Sequence, residues 1–287
     1  RSVSLPLYIF KPGVTLDIIE NESCSMFIGA PVHLTAMMQD PSFQKRDLSA
    51  LKSLVVGGSN PPVELMKQFS EAFDADVTNG YGMTETCGLS CTALPTDPPE
   101  LKAIAGLPLP GVSLRVVDHN YQIVMNDMPG ELLYKGPGLM NGYGNLPDGS
   151  SGINDDGWFP TGDLATMNSE GYINIVGRSK EMIIRGGENL YPIEIENYLV
   201  EHPGVLEVAV FGLPDQKYDE ECCAVVRADM DILSDPEDLR QWCKERISRW
   251  KIPRYIFFID SFPITPSGKI QKYKLQEKYI EQLSLNK

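Results

Sequence analysis

The first third of the chain alternates short apolar runs with stretches of helical periodicity. An apolar run at 54–56 predicts a strand, and two glycines follow it directly. Leu65, Phe69 and Phe73 then recur every four residues, which predicts an amphipathic helix. A glycine loop between a strand and the start of a helix is a geometry that can face nucleotides and other anions. Many ordinary α/β turns have the same form, so a binding role and a plain connection are equally open for this loop.

The middle of the chain has the pattern of strands and turns. Apolar or alternating runs predict strands at 114–117, 131–134 and 172–176. A further run at 121–124 follows a polar tripeptide at 118–120, which predicts a hairpin. The stretch 142–157 is rich in Gly, Asn, Asp, Pro and Ser, which predicts an exposed loop.

The last part of the chain has the pattern of a small α+β unit. One helix is predicted to start at Pro192 and another to be capped by Asp235, and a basic helix ends the chain. Strands are predicted at 205–211, 222–226 and 255–259. The fold class is therefore α/β plus α+β, with an α/β part at 1–105, a β-rich part at 106–177 and a small α+β part at 178–287.

Charge is distributed unevenly along the 287 residues. The formal net charge is −14, which argues against a general nucleic-acid binder. Residues 240–287 nevertheless carry 11 basic and 4 acidic side chains, so the other 239 residues carry a net charge of −21. A basic tail on an acidic body indicates that an anion is held between the two. No apolar stretch approaches the roughly 20 residues that a membrane-spanning helix needs.

The six cysteines do not form a framework. No C-x-x-C pair occurs, and the single C-x-x-x-C spacing lacks a second ligand pair. We therefore expect reduced thiols in an intracellular protein.

Four short motifs contain residue types that are used in nucleotide and acyl chemistry. NGYGMTE at 79–85 combines two glycines, a ring that can stack, a hydroxyl and a carboxylate suited to Mg²⁺. GWFPTGDL at 157–164 places a carboxylate after a glycine, GRSKEMIIRGGENLYP at 177–192 combines an arginine with a glycine pair, and PITPSGK at 263–269 presents one lysine. Each motif taken singly fits a structural role at least as well, such as a polar loop around a buried tyrosine or an Asx turn between strands.

Taken together, in this order and spacing, the motifs resemble the adenylate-forming superfamily of acyl-CoA synthetases, luciferases and peptide-synthetase adenylation domains. The resemblance covers essentially the whole chain, and it is strongest to medium-chain acyl-CoA synthetases. The chain corresponds only to the C-terminal half of those enzymes. It implies the C-terminal part of the large domain, with an α/β and a β-rich subdomain, followed by a small mobile α+β lid. Its substrates would be ATP with Mg²⁺, coenzyme A and a small carboxylate, most simply a medium-chain fatty acid.

The resemblance also implies a role for each matching residue around the nucleotide. Tyr81 and Gly82 would lie against adenine, Thr84 would contact the α-phosphate, and Glu85 would hold Mg²⁺. The loop whose backbone holds adenine would be Gly57, Gly58 and Ser59, and the ribose would be bound by Asp163 with help from Arg178.

The remaining implied roles concern the lid and the acyl pocket. Lys180 would be the hinge, and Lys269 would bridge the carboxylate and the α-phosphate during adenylation. The pantetheine tunnel would be lined by Gly186 and Gly187, and the nucleotide end of coenzyme A would lie near Trp250, Lys251 and Arg254. His33 lies in the region that lines the acyl pocket, where a packed core histidine is the simpler alternative.

The family also has a Ser/Thr/Gly-rich phosphate loop ending near a lysine, and this sequence contains none. We therefore expect a C-terminal portion of a longer enzyme, inactive by itself. The predicted activity is fatty acid–CoA ligation through an acyl-adenylate. The alternatives are a family enzyme with another acceptor and a non-catalytic interaction module. An intracellular location in the mitochondrial matrix or the cytoplasm is expected, with the matrix favoured.

Overall fold

The computed structural model describes residues 10–58, 61–143, 152–244, 246–265 and 269–285. The chain divides into two compact units, Arg1–Ile175 and Val176–Lys287. Within the described residues, no helix is both long and apolar enough to cross a membrane.

The first unit begins with a five-stranded sheet in the order β1-β2-β3-β4-β5. The first three strands are parallel and the last two antiparallel: β1 Met26–Gly29, β2 Ser53–Gly57, β3 Asp76–Met83, β4 Gly88–Thr92 and β5 Leu107–Pro108. Its helices are α1 Pro12–Asn21, α2 Pro31–Gln39, α3 Val63–Phe73 and α4 Pro99–Lys102. The predicted helix after β2 is confirmed, since Met66, Phe69 and Phe73 of α3 are buried in the core beside the apolar residues of β2.

A four-stranded sheet follows in the order β6-β7-β8-β9. Its strands are β6 Ser113–Val117, β7 Gly130–Lys135, β8 Phe159–Met167 and β9 Ile173–Arg178, with β6, β7 and β8 antiparallel. The core on this sheet includes Leu114, Val116, Leu132, Tyr134 and Ile173.

The strand predicted at 121–124 is wrong. The Asp118 carboxylate accepts hydrogen bonds from the backbone N–H groups of Asn120 and Gln122, which folds the tripeptide into a tight turn. Tyr121 then has a φ of 60°. Pairing with β6 is limited to one bridge between Val117 and Ile123 and to two backbone hydrogen bonds, from Asp118 N–H to Gln122 O and from Val124 N–H to Val116 O. The Asp118 side chain thus tightens the connection, and the pairing after it is too short to form a strand.

The second unit is built on a long antiparallel hairpin. The strands are β10 Ile183–Arg185, β11 Glu188–Leu190, β12 Val205–Asp215, β13 Asp219–Ala228 and β14 Tyr255–Phe258, in the order β11-β10-β13-β12 with β14 parallel to β13. The hairpin β12–β13 is longer than its apolar pattern predicts, because polar residues continue the pairing as far as Asp215 and Asp219.

Both faces of this hairpin are buried, which explains its nearly continuous apolar sequence. The helices of this unit are α5 Pro192–Val200, α6 Pro236–Lys244 and α7 Lys272–Leu285. Val210 and Ala224 share one core with residues of α5 and α6, whereas Phe211 and Val225 share another with α7. The predicted cap of α6 is confirmed, since Asp235 Oδ1 accepts a hydrogen bond of 2.8 Å from the N–H of Glu237.

All six cysteines are unpaired, as the sequence predicts. Burial raises the pKa of the Cys91 thiol to about 12 and that of Cys243 to about 11. It also raises the pKa values of Cys222 and Cys223. These four thiols are therefore protonated at neutral pH and behave as small apolar side chains.

Candidate active site

Tyr81 and Asp163 are 82 positions apart in the sequence, and the fold brings them into contact. The Tyr81 hydroxyl donates a hydrogen bond of 2.6 Å to Asp163 Oδ2, and Asp163 is only 4% exposed. Burial raises the pKa of Tyr81 far above its usual value, and the Asp163 charge adds to the effect. The phenol therefore stays a donor, and the carboxylate is held ready to accept further hydrogen bonds.

Asp163 is aimed by a distortion within β8 rather than by a turn between strands. Gly162 has a φ of 73°, and the pairing of β7 with β8 shifts register between Glu131 and Leu133. The Thr161 hydroxyl donates to Leu132 O and accepts from the N–H of Asp163. The Asx turn considered for this motif is therefore wrong, and the glycine serves a bulge that re-aims the next side chain.

Thr84 and Glu85 follow β3 in a single 3₁₀ turn, Thr84–Thr86. Glu85 Oε1 accepts a hydrogen bond of 2.8 Å from the Tyr143 hydroxyl, and Glu85 O accepts one of 2.9 Å from the N–H of Met140. Thr84 is exposed. Tyr143 has no role in the sequence prediction, because an aromatic residue in a glycine-rich loop gives no signal of its partner.

The Glu85 carboxylate has the chemistry of a Mg²⁺ ligand. In the part of the chain that the structure describes, no group of three or more His, Cys, Asp or Glu side chains is placed to hold a metal ion. Mg²⁺ in nucleotide enzymes is commonly bound by one or two carboxylates together with the phosphates of the substrate. A single anchored carboxylate therefore fits the ion when it arrives with ATP.

The glycine that ends β2 lies beside a glycine within β3. Gly57 pairs with Gly80, and a Cβ at position 57 would lie 3.1 Å from Gly80 O. Gly58 has a φ of 85°, which few side chains tolerate. Ser59, predicted in the same loop, lies outside the described residues. A Cβ on Gly82 would lie 1.7 Å from Gly88 O, so contact between β3 and β4 by itself requires this glycine.

His33 lies in the first turn of α2. Its Nδ1 accepts a hydrogen bond of 3.1 Å from the N–H of Ala30, and its ring stacks on Phe10 with 4.4 Å between centroids. Burial lowers the pKa of His33. The neutral ring therefore completes the start of a helix, which supports the packed-histidine alternative.

In the second unit, the predicted boundary motif forms a 3₁₀ turn and a hairpin. Arg178 ends β9 and is exposed, and Lys180 is exposed in the turn Ser179–Glu181. Gly186 and Gly187 connect β10 to β11 with φ values of 57° and 86°. Two successive positive φ values are typical of the tight hairpin turns that favour glycine.

A buried ion pair lies next to this hairpin, and the sequence gives no indication of it. Arg185 Nη2 donates a hydrogen bond of 3.1 Å to Glu221 Oε1, and Arg185 Nε lies 2.8 Å from Glu221 Oε2 without the geometry of a hydrogen bond. Glu221 is 1% exposed. Arg254, one of the predicted coenzyme A residues, adds a third contact of 3.2 Å from Nη1 to Glu221 Oε1. The guanidinium of Arg185 also lies 4.7 Å from the centre of the Trp250 ring.

Trp250 and Arg185 line a surface cleft of about 580 Å³. Its other lining residues are Tyr218, Ser248 and Arg249. The indole Nε1 of Trp250 is buried and has no hydrogen-bond partner among residues that the structure describes. Arg249 and two aromatic rings around one cleft suit an anionic aromatic ligand, whereas the charge of Arg185 is already paired with Glu221. Lys251, by contrast, is engaged in an ion pair with Glu194.

Lys269 is exposed beside a short hairpin. Its N–H donates to the Thr265 hydroxyl (3.0 Å), and its carbonyl accepts from the N–H of Thr265 (2.8 Å). Pro266, Ser267 and Gly268, which precede it in the motif, lie outside the described residues. The backbone of Lys269 is thus fixed while its side chain reaches into solvent.

Two family models match the chain. The model of the AMP-binding enzyme matches residues 4–144, and that of the AMP-binding enzyme C-terminal domain matches residues 194–269.

Individual proteins give the same result. The chain is 41% identical over 286 residues to the putative acyl-CoA synthetase YngI of Bacillus subtilis, covering 98% of this chain and 52% of that protein. It is 37% identical over 281 residues to the mitochondrial medium-chain acyl-CoA ligase ACSF2 of Homo sapiens, covering 96% of this chain and 46% of that protein.

Among solved structures, the amide bond synthetase McbA of Marinactinospora thermotolerans superposes with a TM-score of 0.86 at 30% identity. The match covers 94% of this chain and 55% of McbA. The chain thus spans about half the length of the relatives it matches. On the fold, the motifs and these matches, it belongs to the AMP-binding, adenylate-forming enzyme family.

Proposed function

We propose that the chain supplies the C-terminal part of a fatty acid–CoA ligase. The contact of Tyr81 with Asp163, on the same unit as the anchored Glu85, carries this proposal. It offers a ring for adenine, a buried carboxylate for the ribose hydroxyls and a carboxylate for the metal of MgATP. The named relatives YngI and ACSF2 support coenzyme A as acceptor and a medium-chain fatty acid as substrate.

The proposed reaction has two steps. A carboxylate oxygen of the fatty acid attacks the α-phosphorus of ATP, forming acyl-adenylate and releasing diphosphate. The thiolate of coenzyme A then attacks the acyl carbonyl, forming acyl-CoA and releasing AMP. Lys269 would stabilise the negative charge that develops at the α-phosphate, and bound Mg²⁺ would supply further fixed positive charge there.

Two other functions remain alternatives with their own support. An adenylate-forming enzyme with a different acceptor is favoured by the likeness to McbA, an amide bond synthetase. A non-catalytic interaction module would also keep the fold. The presence of Glu85, Asp163, Arg178 and Lys269 together argues against that loss of activity.

The proposal is tested with the longest natural polypeptide that contains these 287 residues, called below the natural polypeptide. We expect it to release diphosphate from ATP with fatty acids of about 6–12 carbons and to form acyl-CoA when coenzyme A is added. The 287-residue chain by itself is expected to release none, because the relatives are about twice its length. Diphosphate release without any thioester would favour the other acceptor, and robust turnover by the isolated chain would refute its proposed inactivity.

The acceptor is tested separately at Trp250, which lines the cleft, and at Arg254, which binds Glu221. In the natural polypeptide, Trp250→Ala and Arg254→Ala are each expected to raise the KM for coenzyme A about tenfold, because a stacked ring or a charge-assisted hydrogen bond is worth about 1–3 kcal/mol. The KM values for ATP and fatty acid should stay within about twofold. Arg246→Ala is the matched control, since Arg246 lies over the other tryptophan of this unit, Trp242. Unchanged KM values for coenzyme A in both variants would contradict this reading of the cleft.

A further inference from the structure

Lys272, the first residue of α7, lies between two carboxylates from separate parts of the second unit. Its Nζ is 2.8 Å from Glu196 Oε1 on α5 and 3.1 Å from Glu181 Oε2 in the 3₁₀ turn that contains Lys180. The side chains of Lys272 and Glu196 are 21% and 18% exposed, whereas that of Glu181 is 41% exposed.

The inner half of this cluster is held firmly. Glu196 Oε1 also accepts a hydrogen bond of 2.7 Å from the N–H of Val210 on β12, so the carboxylate is fixed to the central hairpin. Burial works against the charge of Lys272, but the two carboxylates outweigh it and raise the pKa of this lysine. Lys272 is therefore charged at neutral pH. An ion pair that is partly buried restrains its partners more than an exposed pair does.

Lys272 follows Lys269 by three positions in the sequence. Three residues of chain span at most about 10–11 Å. The intervening backbone is itself tied back, because the N–H of Gln271 donates a 2.8 Å hydrogen bond to Pro263 O. The backbone between Lys269 and Lys272 is thus short and held at Gln271, so the position of Lys272 limits where the backbone of Lys269 can lie.

We propose that Lys272 is a positioning residue. Its two ion pairs anchor residues 269–272, called here the Lys269 segment, to α5 and to the turn at 179–181. The proposal rests on the proposed function, in which Lys269 acts in adenylation, and on the role of Lys180 as the hinge of the lid that the sequence predicts. It links the two: when the turn at 179–181 changes conformation, the anchor of the Lys269 segment changes with it.

The first test separates the two half-reactions in the natural polypeptide. Lys272→Gln is expected to slow diphosphate release at least about tenfold, because small displacements of a catalytic group are costly. Formation of acyl-CoA from supplied acyl-adenylate should change less than about twofold. Lys272→Arg keeps both ion pairs and should retain adenylation within about threefold. The control is Lys274→Gln, an exposed lysine on the same helix. Equal losses in both half-reactions, or a loss no larger than in the control, would overturn the proposal.

The second test needs no activity. Amide hydrogen exchange at Lys269 and Gln271 is measured in the natural polypeptide. Lys272→Gln should speed exchange at both amides several-fold, and Lys274→Gln should leave it unchanged. If Lys272→Gln speeds exchange at both amides but the natural polypeptide forms no adenylate, the proposed function is refuted and the anchoring role of Lys272 is supported. Unchanged exchange would refute the anchor whatever the activity.

A milder variant guards against loss of folding. Glu181→Gln removes only the more exposed carboxylate, so Lys272 keeps its pair with Glu196. We expect a smaller slowing of diphosphate release, about threefold, with thioester formation again unchanged. Wild-type rates of diphosphate release in Glu181→Gln would remove the link to the hinge turn from the proposal.

Discussion

Replacing Lys269 by alanine is expected to lower the rate of acyl-adenylate formation by about 10²–10³-fold while ATP still binds. The carboxylate of the substrate must approach another anion, and negative charge then concentrates on the α-phosphate. A fixed positive charge acts mainly on that transition state, so its loss lowers the rate far more than the affinity for ATP. The measurements are diphosphate release and equilibrium ATP binding by the natural polypeptide.

The structure indicates that Lys269→Ala removes the charge without disturbing the local fold. The Lys269 side chain is exposed, and the hairpin contacts with Thr265 use only its backbone N–H and carbonyl. Truncation to alanine therefore leaves the local fold intact. Lys274→Ala is the charge-matched control and should keep full activity. Acyl-CoA formation from supplied acyl-adenylate should also persist in Lys269→Ala. Equal diphosphate release in wild type and Lys269→Ala would refute the role of this lysine.

The motif order was enough to predict the family, because the chemistry restricts residue types locally. Within NGYGMTE, Tyr81 lies inside β3 and Glu85 lies in the 3₁₀ turn that follows it. Their roles at adenine and at Mg²⁺ stay predictions. The apolar periodicity likewise predicted α3 and the central strands of the second unit, since burial on one face or both faces leaves a direct pattern.

Contacts between residues far apart in the sequence could not be predicted from the local pattern of apolar and polar residues. Nothing near Glu85 indicates Tyr143, and nothing near Arg185 indicates Glu221. The strand predicted at 121–124 failed for a related reason. The alternation there is real and the two segments pair briefly, but the Asp118 carboxylate also binds the backbone of the turn, and the pairing stays too short for a strand. Such side-chain competition depends on geometry, not on hydrophobic pattern.

Glu221→Gln is expected to destabilise the second unit by about 3–5 kcal/mol, the typical cost of breaking a buried ion pair from one side. Glutamine keeps the shape of the side chain, so the loss reports charge rather than a cavity. It leaves the guanidinium of Arg185, only 12% exposed, without the charge of its buried carboxylate partner. Arg185 Nη1 also donates to Trp250 O at 2.5 Å, so the cleft and the hairpin at Gly186 are loosened together.

This prediction is checked by urea-dependent hydrogen exchange of peptides from β12 and β13, which report on the unit that contains Glu221. The control is Glu207→Gln, which breaks the pair of Glu207 with Arg227 between the same two strands. That pair has a 2.7 Å contact, but its side chains are 40% and 37% exposed. Exposed pairs are worth about 0–1 kcal/mol, so the control should barely shift the transition. Equal shifts in the two variants would contradict the prediction, since position in the strand pair rather than burial of the charge would then set the cost. A large shift in Glu221→Gln alone would establish that the residues lining the cleft are held by a charge that solvent does not screen.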